Sequence, residues 1–261
     1  MMGTMALALG AATGSFLNVA IYRLPRGESV VAPRSHCTRC ERVIPWYDNI
    51  PVLSWFLLRG RCRGCGEPFS IRYPVVEAMT GVLLLALSVQ LGWGLGLAFA
   101  FYFACSLLVV TYTDLDHRII PDRVTLPGIG VALVLALVNA WYAPPEYRWV
   151  ALQSWALGTL VGGGILWLVA WAYALATGRE GMGGGDIKLL AMIGAFLGWQ
   201  GVLLSLLLAS FIGSIIGVGI MLVRGSDTKL AIPFGPFLAL GALVALFWGD
   251  ALIHWYLSSM L

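Results

Sequence analysis

Two aspartates stand where solubility alone does not account for an acid. Asp114 ends the apolar run FYFACSLLVVTYTD, and Asp186 opens the run DIKLLAMIGAFLGW after the glycine-rich joint GMGGG. An ionisable group in or at the edge of a membrane helix is costly, which makes each a functional candidate. Two carboxylates sharing one proton suit bond hydrolysis: one activates a water as base while the other protonates the carbonyl or the leaving amine. The first run is read as entering from outside and the second as starting inside, so both acids are expected near the cytoplasmic face at similar depth. Gly183 and Gly185, lacking side chains, would let an extended backbone lie against such a site, and Lys188 stands beside it as a supporting candidate. The same aspartates also fit a plainer role, a helix-end charge at Asp114 and an N-cap at Asp186, each reaching for water. Asp116 lies roughly 200° around a helix from Asp114 and is expected to face the headgroups beside His117 and Arg118. Asp122, in the IIPD joint, is expected to cap the following helix; both rank behind Asp114 as candidates to assist the site.

A second constellation is made of thiols. Cys37 and Cys40 form CTRC, Cys62 and Cys65 form CRGC, and 21 residues separate the two pairs. Two such knuckles can close a tetrahedral thiolate site around zinc. A loop of about fifty residues has too small a core to hold itself without a staple, and a reducing cytoplasm argues against disulfides in that role. Redox chemistry at the pairs and the absence of a bound metal are the lesser alternatives. His36 could replace one ligand, although its place next to Cys37 reads better as chance. Cys105 lies inside an apolar run and reads as packing.

The elements that must position these residues are membrane helices. Of 261 residues, 59% are hydrophobic and only 11% charged; with a mean hydropathy of +0.86 the chain is too apolar for a water-soluble domain. Long apolar runs without strict alternation predict helices rather than barrel strands. Runs near the length of a bilayer crossing fall at 3–22, 75–92, 95–113, 124–142, 150–176, 201–223 and 231–257. A shorter run at 187–199 makes an eighth crossing or re-enters the membrane. Arg23, Arg26, Arg34, Arg39, Arg42, Arg59, Arg61, Arg63 and Arg72 cluster in the first loop, which is therefore expected in the cytoplasm. With eight crossings, Arg118, Arg123, Arg179, Lys188, Arg224 and Lys229 also fall inside and both termini outside. No basic residue precedes the first run, so it reads as a retained helix rather than a signal peptide. Glycines at Gly10 and Gly14, Gly162 to Gly164, and Gly213 and Gly217 predict close helix packing, as Asn18 predicts an interhelical hydrogen bond. The net charge of +3 suggests no nucleic-acid partner. GMGGGD lacks the preceding strand of a dinucleotide loop and is not one.

Four blocks together resemble the bacterial type IV prepilin peptidases across nearly the whole chain. They are GSFLNVAIYRLPRG at 14–27, the paired CxxC loop with YPVVEAMTG at 73–81, TDLDHRIIPDRVTLP at 113–127, and GMGGGDIKLLAMIGAFLG at 181–198. The last resembles the GxGD signature shared with presenilin-like and archaeal preflagellin peptidases. The resemblance implies an all-α polytopic membrane protein of about eight transmembrane helices. It would consist of a first helix at 1–22, a small cytoplasmic zinc-binding loop domain at 23–73 and a presenilin-like GxGD protease core at 74–261. It further implies cleavage of the basic leader of prepilins and pseudopilins after a glycine, at the cytoplasmic face of the inner membrane, with Asp114 and Asp186 as the catalytic pair. Members with the long loop also N-methylate the new amino terminus with S-adenosylmethionine, a second activity expected here. Glu77, a few residues into the second run, is a candidate to bind substrate or methyl donor, and equally fits a snorkelling interfacial acid.

Two other classes compete with this reading. An ion-coupled transporter would carry its essential acids near the bilayer midplane and show a repeat between halves; neither feature is present in the sequence. A membrane scaffold that docks a partner through its zinc loop would need the cysteines and not the aspartates.

Overall fold

A computed structural model describes residues 2–179, 183–224 and 233–260. Gly181, Met182, Lys229 and the first two residues of the run expected at 231–257 lie outside the described residues. The chain is helical: α1 (Met2–Arg23), a short α2 (Leu53–Leu57), α3 (Arg72–Leu91), α4 (Leu95–His117), α5 (Asp122–Tyr142), α6 (Arg148–Thr177), α7 (Gly184–Arg224) and α8 (Gly235–Met260). All but α2 are long and apolar enough to cross a membrane, seven among the described residues. Their outward surface agrees with that reading. Leu160, Trp167, Leu168, Trp171 and Leu175 on α6 and Leu207, Phe211, Ile215 and Leu222 on α7 are exposed, an apolar expanse that suits lipid and not water.

At 41 residues, α7 would run about 60 Å if straight, twice the hydrocarbon thickness. It is broken at Gly198, where φ is 70° and ψ 178°, a left-handed conformation that favours glycine. The break is sharp: a Cβ placed on Gly194 would lie 2.8 Å from a methyl of Val202, although eight residues of straight helix span about 12 Å. The run expected at 187–199 is thus the first segment of α7, a helix distinct from the one that follows it.

The chain divides into two compact units, 1–109 and 110–261, with the boundary inside α4. In the first unit α1 and α3 are antiparallel neighbours. A Cβ on Gly10 would stand 2.7 Å from the Gly81 Cα, and one on Gly14 would stand 2.6 Å from the Glu77 Cα. Asn18 donates from its side chain to the Tyr73 carbonyl at 3.1 Å, the interhelical role expected of it. In the second unit the first segment of α7 lies against α6. A Cβ on Gly158 would fall 2.0 Å from the Gly194 carbonyl oxygen, and one on Gly162 would fall 2.2 Å from that of Leu190. The second segment lies against α8, where a Cβ on Gly241 would meet the Ser205 carbonyl at 2.5 Å. Lipid tails are as apolar as leucine, so helix association in a membrane depends on such close backbone approach.

Gly162→Ala should therefore force α6 from α7 and cost about 1–3 kcal/mol. Gly164→Ala, where a Cβ meets nothing within 4 Å, should stay within about 0.5 kcal/mol of wild type. Unfolding in mixed micelles titrated with SDS measures both; equal effects would remove Gly162 from the interface.

Candidate functional site

In the second unit, α4 ends and α7 and α8 begin around one side chain, Ile120. A Cβ on Gly185 would lie 2.9 Å from the Ile120 Cβ, and one on Gly235 would lie 3.2 Å from its Cδ1. Around that contact the two aspartates gather. Asp114, three residues before the end of α4, is buried, and its Oδ2 accepts a hydrogen bond from the Gly235 backbone N–H at 3.0 Å. Asp186, at the third position of α7, is half-buried and lies within electrostatic range of Asp114. Its Oδ1 is shielded from solvent and accepts no hydrogen bond from the described residues. A buried acceptor in that state is ready for a water or a substrate group. The arrangement presents two carboxylates to one small region, one of them oriented by a backbone donor.

The other residues singled out in the sequence fall around this pair unequally. Gly185 is packed against Ile120, whereas Gly183 is exposed at the entry to α7 and accepts the Asp186 backbone N–H at 3.2 Å. Lys188 turns to Asp122 and holds both its oxygens at 2.7 Å. Asp122 is therefore no cap: Pro121 occupies the N-cap of α5 and the Asp122 carboxylate is committed to Lys188. The reason is geometric, since a lysine within reach offers a charged partner that a first-turn amide does not match. Asp116 is exposed at the end of α4. Gly235 was not among the sequence candidates. Its only local signal is its place between Phe234 and Pro236, ahead of an apolar run. A Cβ there would stand 2.6 Å from Asp114 Oδ2, so the close approach of this backbone to the carboxylate requires glycine.

The first unit carries the thiols. The sulfurs of Cys37, Cys40, Cys62 and Cys65 all lie within 4.8 Å of one another. Cys37 and Cys65 are 3.7 Å apart, and Cys40 and Cys62 4.0 Å. Four sulfurs about 2.3 Å from one tetrahedral ion would be about 3.8 Å apart, so the spacing fits a bound metal. The knuckles are built alike. Cys37 N donates to Arg42 O and Glu41 N to Cys37 O, as Cys62 N donates to Glu67 O and Gly66 N to Cys62 O. Glu41 and Gly66 take equivalent left-handed conformations, φ 56° and 73°. Backbone N–H groups of Cys40 and Arg39 hold the Cys37 thiol down to about 6. At Cys65 the Glu67 backbone favours the thiolate, but burial and the sulfurs of Cys40, Cys37 and Cys62 push the thiol up to about 12. Four adjacent thiolates repel unless a cation lies among them, which the donor set is suited to hold. His36 is outside the cluster, its ring nitrogen 3.0 Å from the Arg34 carbonyl. Salt bridges brace the knuckles: Arg39 to Glu67 at 2.5 Å, and Arg63 to both oxygens of Asp48. The Arg63 guanidinium holds the Asp48 carboxyl below the usual carboxylate range.

Glu77, on α3, also belongs to this unit and is buried. Its Oε2 accepts the Val52 backbone N–H at 2.6 Å. Val52 has φ 63° and ψ −54°, and the Leu53 N–H reaches the Pro51 carbonyl at 2.6 Å; together these define a γ-turn centred on a β-branched residue. Such a conformation costs about 1–3 kcal/mol and persists only where its surroundings hold it. The carboxylate of Glu77 is one of the groups that hold it.

Fold and sites together define a polytopic helical membrane protein with paired aspartates in one unit and a tetracysteine cluster in the other. Residues 8–91 match the Bacterial Peptidase A24 N-terminal domain and residues 101–218 the Type IV leader peptidase family. A prepilin leader peptidase/N-methyltransferase of Aeromonas hydrophila is 40% identical over 95% of this chain and 91% of its own length. Proteins of the same description from Pseudomonas putida and Myxococcus xanthus are 37% identical over 98% and 93%, and 42% identical over 83% and 62%, respectively. No solved structure matches. The chain belongs to the type IV leader peptidase family and is a proteolytic membrane enzyme.

Gly235→Ala should displace the Asp114 carboxylate and slow peptide cleavage roughly 10- to 100-fold, mainly in kcat. Cleavage of a prepilin in detergent checks this, and an unchanged rate would detach Gly235 from the working site.

Proposed function

We propose that this protein removes the short basic leader from type IV prepilins and pseudopilins, cutting after a glycine at the cytoplasmic face of the bacterial inner membrane, with Asp114 and Asp186 as its catalytic carboxylates. The observation that carries the reading is the meeting of these two acids at the ends of α4 and α7, with Gly235 N–H on one and an unpartnered buried oxygen on the other. One carboxylate takes a proton from a water as its oxygen attacks the carbonyl of the leader's last glycine. The other carboxyl group gives its proton to the departing amine as the C–N bond breaks, and the pair again shares one proton. The leader leaves with a new carboxyl group, and the pilin keeps a free amino terminus.

The family's second activity follows at that terminus: N-methylation with S-adenosylmethionine as donor. In this reading the chain is a first helix at 1–22, a cytoplasmic loop domain at 23–73 and a presenilin-like GxGD protease core at 74–261. Cys37, Cys40, Cys62 and Cys65 hold one zinc ion. The zinc supplies no chemistry to cleavage; it closes a loop whose own core is too small to hold it. Lys188 and Asp122 tie the start of α7 to the start of α5, an exposed pair whose use is position more than stability.

Asp114→Asn and Asp186→Asn should each lower cleavage of a prepilin with a basic leader ending in glycine by roughly 10²- to 10⁴-fold, with melting temperatures near wild type. A near wild-type rate in either would make that residue structural.

The wild-type rate should be bell-shaped in pH, because the step needs one carboxylate ionised and one protonated; a flat profile from about pH 4 to 9 would exclude the shared-proton pair.

Elemental analysis should find one zinc per chain, lost in Cys40→Ser and Cys62→Ser, with the fluorescence of Trp46 and Trp55 changing as the loop opens; full metal content in either variant would argue against the four-thiolate site.

A further inference from the structure

The N-terminal unit contains a cavity that nothing in the cleavage step uses. It measures about 330 Å³ and lies between the second half of α1, the folded loop and the first turns of α3. That volume is in the range of small-molecule sites. Its walls are rigid on three sides. The Trp55 indole N–H donates to the Phe69 carbonyl at 3.1 Å, and the ring is packed on Gly60, where a Cβ would stand 2.8 Å from it. Ser54 is fixed by accepting the Ile50 N–H and donating to the Tyr47 carbonyl, both at 3.0 Å. On the α1 side the Asn18 amide is held by the Tyr73 carbonyl. Glu77 contributes a buried carboxylate to the lining, with Oε2 on the strained turn at Val52. Backbone strain of this kind persists where the surroundings hold it, as they do in a preorganised site.

We propose that this cavity is the methyl-donor site, a proposal that rests on the N-methyltransferase reading above. S-adenosylmethionine presents a flat purine, a polar ribose and amino-acid tail, and a sulfonium cation. The faces of Trp55 and Tyr73 suit the purine. The hydroxyl of Ser15 and the amide of Asn49 suit the polar groups. A carboxylate suits the cation, and Glu77 supplies one in a lining that also carries Glu28, Asp48, Arg23 and Arg61, charges of both signs that suit a ligand with a sulfonium, an ammonium and a carboxylate. The alternatives fit less well. A purely apolar ligand would be set against a lining that carries charges of both signs, and a ligand of one charge alone would match only part of it. In the transfer, the neutral amino terminus attacks the methyl carbon. The C–S bond breaks with its electron pair returning to sulfur, leaving S-adenosylhomocysteine and an N-methylammonium, so the positive charge passes from sulfur to nitrogen.

The test begins with the wild-type protein in detergent, irradiated with tritiated S-adenosylmethionine and mapped by peptide. Label within residues 15–22 or 45–77 is expected; label confined to 110–261 would overturn the site. S-adenosylhomocysteine binding by calorimetry should then weaken at least tenfold in Trp55→Ala, Glu77→Gln and the cavity-filling Ser15→Phe, in variants whose zinc content and melting temperature match wild type. If the wild type methylates a cleaved pilin while these variants bind as it does, the cavity is not the donor site although the activity stands. If the wild type neither methylates nor binds, the N-methyltransferase reading fails, and this site with it. Should every variant misfold, the position of the wild-type label decides.

Discussion

A carboxylate buried at the end of a membrane helix is costly unless a donor meets it, and in the second unit that donor is the backbone N–H of Gly235. Much of the unit's architecture serves this contact. The start of α8 must reach the end of α4 with no side chain in the way, and Pro236 follows at once, where a missing N–H is harmless in a helix's first turn. The start of α7 must approach the same place, and Ile120 fills the space between Gly185 and Gly235. Glycine contacts between α6 and α7 and between α7 and α8 set those helices close enough for the approach to hold. Had bulky residues stood at Gly158, Gly162 or Gly241, the two acids could not have been placed within range of each other by this packing.

The first unit solves a different problem by different means. Its loop has exposed tryptophan, phenylalanine and leucine side chains in Trp46, Phe56 and Leu57 and too little enclosed apolar surface to order itself. Order comes from cross-links of polar chemistry. The two knuckles place four sulfurs at metal spacing, Arg63 grips Asp48, and the buried Arg23 donates to the Ser29 and Pro33 carbonyls at 2.9 and 2.8 Å. Glu77 extends that scheme from α3 by accepting the N–H of a turn that would not be stable alone. An acid that reads in the sequence as either a snorkelling side chain or a binding group is therefore tied into the loop's backbone.

What the sequence by itself determined is everything encoded over short spans. Apolar runs marked the long helices to within a few residues, because the bilayer sets their length and composition. The CxxC pairs announced their metal geometry, because a knuckle is closed by hydrogen bonds spanning four or five residues. Asp114 and Asp186 were legible as candidates because a charge in apolar surroundings is conspicuous. Family membership was legible from four local blocks. Only the tertiary structure decided which groups meet. The Asp114 to Gly235 bond joins residues 121 apart, and the Lys188 to Asp122 pair spans 66. No periodicity or spacing records such partners, since each arises from how close two helices come. For the same reason Asp122 looked like a cap until a lysine from another helix claimed it, and Gly235 drew no notice in the sequence although its N–H meets the aspartate. The break at Gly198 and the turn at Val52 belong to this class too: a backbone dihedral outside the ordinary regions is sustained by contacts from elsewhere in the chain, and those exist only once the fold has formed.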